Sequence, residues 1–240
     1  MRATKSDDRE PPKAAERLAA RIIDDIARDD WPIGRVLGTE PALLDRYGVS
    51  RNAFREAVRL LEHLNAARMR EGRGGGLMVT QPQPGPVAHA AAIFLRYDGV
   101  AVDELYEARL DLEVGIVERA VARIDDAGRA RLRTLLADER AVATDEIPAH
   151  TRTLHMALAD IAGNRPMALF LDTLISLSDE YSRPELAADG GVDPPEALAS
   201  RLRDSQRAHA AIVKAVIDGD AITATRRMRV HLKAIAEWMP

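Results

Sequence analysis

A chain of 240 residues with 34 Lys and Arg against 38 Asp and Glu has a formal charge of −4, no cysteine, and aromatic residues at only 4%, and its wealth of Ala, Leu, Arg, Asp and Glu favours helix over sheet. The missing cysteines exclude disulfides and thiolate metal sites. No apolar run reaches the roughly 18 residues of a membrane span, and the N-terminus lacks a leader's apolar core, so a cytoplasmic protein with no membrane partner is expected. In chain order, residues 1–12 carry no periodicity and are expected to be a disordered tail. Leu18, Ile22, Ile23 and Ile26 then recur at helical spacing, predicting a helix from about Lys13 to Arg28. "DDWPIGRVLGTE" reads as a turn. A short helix follows from about Pro41 to Tyr47, with proline tolerated in its first turn and Gly48 ending it. Ser50 is placed to cap the next helix, which runs to about Leu64, and Asn65 accepts the left-handed backbone needed to leave it. "ARMR" and "LMVT" flank "EGRGGG" as two strands of a hairpin.

Three helices and a glycine-tipped hairpin predict a winged helix-turn-helix over residues 13–80. On its third helix Phe54, Val58 and Leu61 form an apolar stripe, and Arg51, Arg55 and Arg59 fall about a quarter-turn away. Such a helix packs inward while presenting arginines along one edge. Ser50, Arg51, Asn52 and Arg55 stand at the end that would enter a major groove. Arginine offers a bidentate fork to guanine and asparagine one to adenine, while the serine and the free helix N–H groups suit phosphate. Thr39, ahead of the second helix, and Gly72 and Arg73 at the hairpin tip complete the candidate DNA contacts. The bland alternative is a solvated arginine face paired with Glu56 and Glu62. The charge is distributed accordingly: residues 11–81 hold 12 cations against 10 carboxylates (+2), and residues 82–240 hold 19 against 25 (−6).

Pro82, Pro84 and Pro86 around Gly85 mark residues 81–87 as a linker that neither helix nor central strand can cross. Beyond it residues 88–240 read as an all-α domain. Seven amphipathic segments are separated near Gly128, Pro148, Gly163, the "DGGVDPP" loop and Gly219. The fold class is therefore mostly α, a winged helix-turn-helix followed by a helical bundle. His155, His209 and His231 fall on three of these segments. Read alone, a histidine on an amphipathic helix is usually a hydrogen-bonded core or surface residue. Arg109 shares a face with Glu113 at i+4, and Asn164 stands where a helix end needs a cap.

"GVSRNAFREAVRLLE" followed by "EGRGGGLMV" resembles the winged-helix signature of the GntR family of bacterial transcription factors, across about residues 14–80. "DELYEARLDLE", "LHMALADIAGN" and "HAAIVKAVIDGDAITATRRMRVHL" resemble the helical effector domain (FCD domain) of its FadR-type branch, across about residues 100–235. The resemblance implies a homodimeric regulator, commonly a repressor, that binds a near-palindromic double-stranded operator and answers to a small acidic metabolite. It also implies a divalent metal, such as Zn²⁺ or Ni²⁺, held by His155, His209 and His231, with Arg109, Thr151 and Asn164 facing the effector. This chain departs from the family in three places. Asn65 stands where a glycine is common, and Pro41 where a basic residue often touches phosphate. Thr151 occupies the position of the fourth metal ligand, an aspartate. Neither neighbour replaces that carboxylate: His150 lies about 140° round the helix from His155, and Glu146 is too far along it. Three rival readings stand beside it: a helical metalloenzyme using the same histidines, for which no HExxH-like motif supplies a general base; a regulator whose metal-free or vestigial pocket uses them to hydrogen-bond an organic effector; and a helical dimerisation module that has lost its effector.

Overall fold

The computed structural model describes the backbone of residues 13–141, 147–188 and 195–238, and their side chains except those of 147–151, 181–188, 195–199, 202 and 238. The expected tail, residues 1–12, and the "DGGVDPP" loop up to Pro194 lie outside the described residues, as does Glu146. The chain divides into two compact units, Met1–Pro86 and Val87–Pro240.

In the first unit α1 (Ala14–Arg28), α2 (Glu40–Tyr47) and α3 (Arg51–His63) precede an antiparallel hairpin of β1 (Ala67–Arg70) and β2 (Gly76–Val79), with Ala67 opposite Val79 and Arg70 opposite Gly76. The apolar stripes converge: Leu18, Ile22 and Ile26 of α1, Leu43 of α2, and Phe54, Val58 and Leu61 of α3 are buried together with Leu77 and Val79 of the hairpin. Each such side chain is worth roughly 1.5–3 kcal/mol when taken out of water. Gly48 takes the left-handed conformation that ends α2 (φ 64°), and Asn65 does the same beyond α3 (φ 53°). Two sequence expectations change here. β2 begins one residue earlier than "LMVT". The segment read as a turn also pairs with β2 through an isolated β-bridge: Gly34 N donates to Val79 O at 2.9 Å and Leu37 N to Leu77 O at 2.8 Å, and Leu77 N returns a bond to Gly38 O at 3.0 Å. Val36 and Met78 form the bridge. This close approach explains the glycine at 76, where a Cβ would lie 2.2 Å from Gly38 O.

The second unit contains, among the described residues, α4 (Gly85–Asp98), α5 (Val102–Arg123), α6 (Asp126–Ala141), α7 (Ile147–Ala162), α8 (Arg165–Ala188), α9 (Pro195–Ile217) and α10 (Ala221–Trp238). α4 starts inside the stretch read as linker, because Pro86 falls in its first turn, where no N–H is needed. α5 runs through the middle of the bundle against α7, α8 and α10. Ile116, Val117, Leu132, Leu154, Leu158, Leu171, Ile175, Ile212, Val216, Met228 and Leu232 form one buried core. The break expected near Gly128 lies at Ile124–Asp125, and Gly128 itself is buried in the first turn of α6. Asp125 Oδ1 accepts from Gly128 N at 2.7 Å and caps it. Gly219, at φ 77°, turns α9 back into α10. No described helix is long and apolar enough to cross a membrane.

Candidate nucleic-acid interface and metal centre

α3 buries Phe54, Ala57, Val58 and Leu61, and this fixes which face meets water. Ser50 Oγ accepts from Ala53 N at 3.2 Å, so the helix begins with a made cap. Arg51, Asn52, Arg55 and Arg59 are all exposed. Arg51 Nε lies 3.1 Å from Glu40 Oε1, which brings the N-terminal ends of α2 and α3 together and sets exposed Thr39 beside them. Arg59 pairs with Glu56 at 2.7 Å in the open, an interaction of little worth. Glu62, the other expected partner, instead accepts from the main-chain N of Met69 at 3.1 Å and ties α3 to β1. Arg55 has no ion pair among the described residues. At the hairpin tip Gly72 has φ 86° and Arg73 is exposed, while Arg70 braces the turn by donating to Gly74 O at 2.6 Å.

The second unit gathers ionisable groups in its interior. His155 on α7, His209 on α9 and His231 on α10 are 1%, 0% and 3% exposed, and one ligating nitrogen from each lies within 4.8 Å of the others. His209 Nε2 and His231 Nε2 are 3.0 Å apart. His155 stacks on His231 with ring centroids 5.4 Å apart. His155 Nε2 is buried and, among the described residues, without a hydrogen-bond partner. A buried polar atom left in this way, facing two further imidazoles, is what a nitrogen-binding cation requires.

Two carboxylates support the rings, and the sequence reading assigned neither of them to the site. Glu113 on α5 is bonded through Oε2 to His155 Nδ1 and accepts through Oε1 from Arg109 Nε at 2.6 Å. Glu139 Oε1 on α6 lies 2.6 Å from His209 Nδ1. The signal for both was a charged residue on an apolar face: Glu113 falls in step with Tyr106, Ile116 and Val117, and Glu139 with Leu132. Burial acts to raise the Glu113 carboxyl, but His155 and the Arg109 guanidinium outweigh it and hold the group down to about 2. Burial also drives His155 and His231 below the ordinary imidazole value, which favours the neutral rings that can ligate.

Of the expected effector contacts, Arg109 is joined to the histidines through Glu113: its Nε donates to that carboxylate, whose other oxygen engages His155. Asn164 is not brought to them. It caps α8, its Oδ1 accepting from Met167 N at 3.2 Å, because the chain must restart a helix directly after Gly163. The side chains of Thr151 and His150 lie outside the described residues. His231 borders a surface groove of about 460 Å³ between α9 and α10, lined also by Ser205, Ala211, Arg226 and Arg227.

Comparison with known proteins agrees with both units. Residues 14–76 match the family model "Bacterial regulatory proteins, gntR family", and residues 104–234 match the FCD domain. The Uxu operon regulator of Haemophilus influenzae is 27% identical over 166 residues, covering 68% of this chain and 58% of that regulator, so the match spans less than two thirds of its length. The HTH-type transcriptional regulator LutR of Bacillus subtilis is 26% identical over 206 residues, 85% of this chain and 91% of its own. Among solved structures, a Streptococcus agalactiae GntR shares the fold with a TM-score of 0.68 at 24% identity, over 93% of this chain and 99% of that one.

Proposed function

Because this chain belongs to the gntR family of bacterial regulatory proteins, is a transcriptional regulator and carries an FCD domain, we propose that it acts as a homodimeric repressor released by a small carboxylate metabolite. The metalloenzyme alternative gives way to that membership. The observation that carries the DNA reading is the solvent-facing start of α3, where Arg51, Asn52 and Arg55 project beyond a capped helix end whose other face is fully buried. Ser50, Thr39 and the Gly72–Arg73 tip would meet the sugar–phosphate backbone and set register, leaving the fork of Arg55 and the amide of Asn52 for base edges. Two copies of α3 placed one helical turn apart match a near-palindromic operator.

The effector reading is supported by the orphaned nitrogen of His155 at the centre of the cluster. His155, His209 and His231 would hold Zn²⁺ or Ni²⁺, both of which suit imidazole. The metal would supply a positive anchor for an effector carboxylate at a coordination position that three protein ligands leave open. Thr151 offers no carboxylate where the family places an aspartate, so an effector anion has less competition there. Arg109 contributes the guanidinium nitrogens not engaged by Glu113. Release of DNA follows only if the effector binds the DNA-incompetent arrangement more tightly. The test is a fluorescence-anisotropy titration of duplexes selected for binding, with and without Zn²⁺ and a panel of small mono- and dicarboxylates. Weaker DNA binding that needs both metal and one carboxylate is the expected result. DNA affinity indifferent to every combination would remove the effector half, and no selectable sequence would remove the operator half.

A further inference from the structure

The three imidazoles differ in what holds them. Glu113 engages His155 Nδ1 through one oxygen while the other is fixed by Arg109 Nε at 2.6 Å, so the carboxylate has little freedom to turn. Glu139 meets His209 Nδ1 at 2.6 Å, and its own main-chain oxygen accepts from Gln206 Nε2 at 2.8 Å, a turn before His209 on α9. His231 has no carboxylate partner among the described residues. Its Nε2 faces His209 Nε2 at 3.0 Å.

A carboxylate can only accept a hydrogen bond, so the ring nitrogen against it must donate. We propose that Glu113 and Glu139 are positioning residues that lock His155 and His209 in the Nδ1–H tautomer, aiming both Nε2 lone pairs at the middle of the cluster, and that His231 is the ligand whose proton must move when a divalent cation binds. With a lone pair on His209 Nε2, the 3.0 Å contact requires the proton on His231 Nε2. The unpartnered His155 Nε2 then carries the second lone pair aimed inward. A cation therefore meets two imidazoles already prepared and one that has to vacate Nε2. His231 borders the groove between α9 and α10, which gives that proton a route to water. The metal-dependent half rests on the metal reading above, whereas the tautomers belong to the metal-free protein and are read without it.

The test is a long-range ¹H–¹⁵N correlation spectrum of the full chain labelled with ¹⁵N-histidine, stripped with a chelator at neutral pH and then titrated with Zn²⁺ alone. The expected metal-free spectrum shows protons on Nδ1 only for His155 and His209 and on Nε2 only for His231; Zn²⁺ then changes the protonated nitrogen of His231 alone. Glu113→Gln and Glu139→Gln replace an obligate acceptor with a group that can also donate. Each is expected to give mixed tautomers at its own histidine and Zn²⁺ affinity reduced about 10–100-fold in chelator competition. A proton on Nε2 of His155 or His209 in the metal-free wild type, or a doubly protonated ring there, overturns the proposal, as do variants with unchanged tautomers and affinity. If a variant does not fold, the wild-type spectrum decides by itself. Absence of any Zn²⁺ binding overturns the role given to His231 together with the metal reading, while the expected metal-free tautomers would still support the two glutamates.

Discussion

On α3 the arginines stand in water: Arg51 and Arg59 keep 69% and 73% of their side-chain surface exposed, and their carboxylate partners keep 28% and 58%. On α5 Arg109 keeps 7% and Glu113 keeps 1%. The same ion-pair chemistry serves opposite ends in the two places. In water the pairs are screened and readily broken, so the guanidinium groups remain available to phosphates and base edges at small cost. In the bundle interior neither partner can be removed without leaving an uncompensated charge, and that constraint fixes the geometry around His155.

The sharpest way to break this comparison is to cut one pair in each place. Glu113→Ala leaves Arg109 and His155 Nδ1 without their partner in the core, and is expected to cost about 3–5 kcal/mol in urea unfolding of the full chain. Arg59→Ala is expected to cost less than about 0.5 kcal/mol in the same assay. Similar losses at the two sites would mean that burial does not separate the two pairs. Next in size is metal. Zn²⁺ at 100 times its dissociation constant should stabilise the wild type by about 2.7 kcal/mol, and His209→Ala should abolish the accompanying rise in Tm. A rise that persists in the variant would place the ion elsewhere. On the solvent side, Arg55→Ala is expected to weaken operator binding by about 1–3 kcal/mol and relax base preference at one position. Arg73→Ala should weaken all sequences alike and lower the salt slope by about one. If Arg55→Ala behaved like Arg73→Ala, Arg55 would be a phosphate contact.

The same contrast governs how much was legible in the sequence. The α3 face could be read residue by residue because its determinants are local: the Ser50 cap, the period of Phe54, Val58 and Leu61, and the glycine and asparagine exits. The three histidines entered through resemblance, since spacings of 54 and 22 residues say nothing by themselves about proximity. Glu113 and Glu139 were visible as charges out of place on apolar faces, yet their partners lie 42 and 70 positions away and only the packing of α5 on α7 and of α6 on α9 unites them. The β-bridge at Val36 was hidden for a related reason. Its hydrogen bonds go to β2, so no alternation in its own sequence was needed to define it. Asn164 reversed the pattern, because its local capping role describes it better than the site the resemblance implies.

Tyr47 and Asp25 give the finest test, since their pair lies between the two extremes. Tyr47 is buried at the end of α2, its hydroxyl donates to Asp25 Oδ2 at 2.7 Å, and the Arg21 and Arg46 guanidinium groups lie 5.3 and 5.2 Å from its ring centroid. The hydrogen bond from Tyr47 is the main cause holding the Asp25 carboxyl below its usual range, while burial, with Asp25 adding to it, pushes the Tyr47 hydroxyl up to about 12. The two signs define a window. A depressed carboxyl contributes stability above its unfolded pKa and loses it as pH falls through the lower folded one. A raised hydroxyl contributes below its unfolded value near 10 and loses it as pH climbs towards 12. Tyr47→Phe removes the bond and keeps the ring, so it should cost about 0.5–1.5 kcal/mol at pH 5–8. The difference from wild type should shrink below about pH 4 and again above about pH 10, as each partner changes charge. Urea unfolding of both proteins across that range measures it. A deficit that stays constant at every pH would mean the hydroxyl contributes packing alone, and that Asp25 owes its low pKa to Arg28 and Arg46.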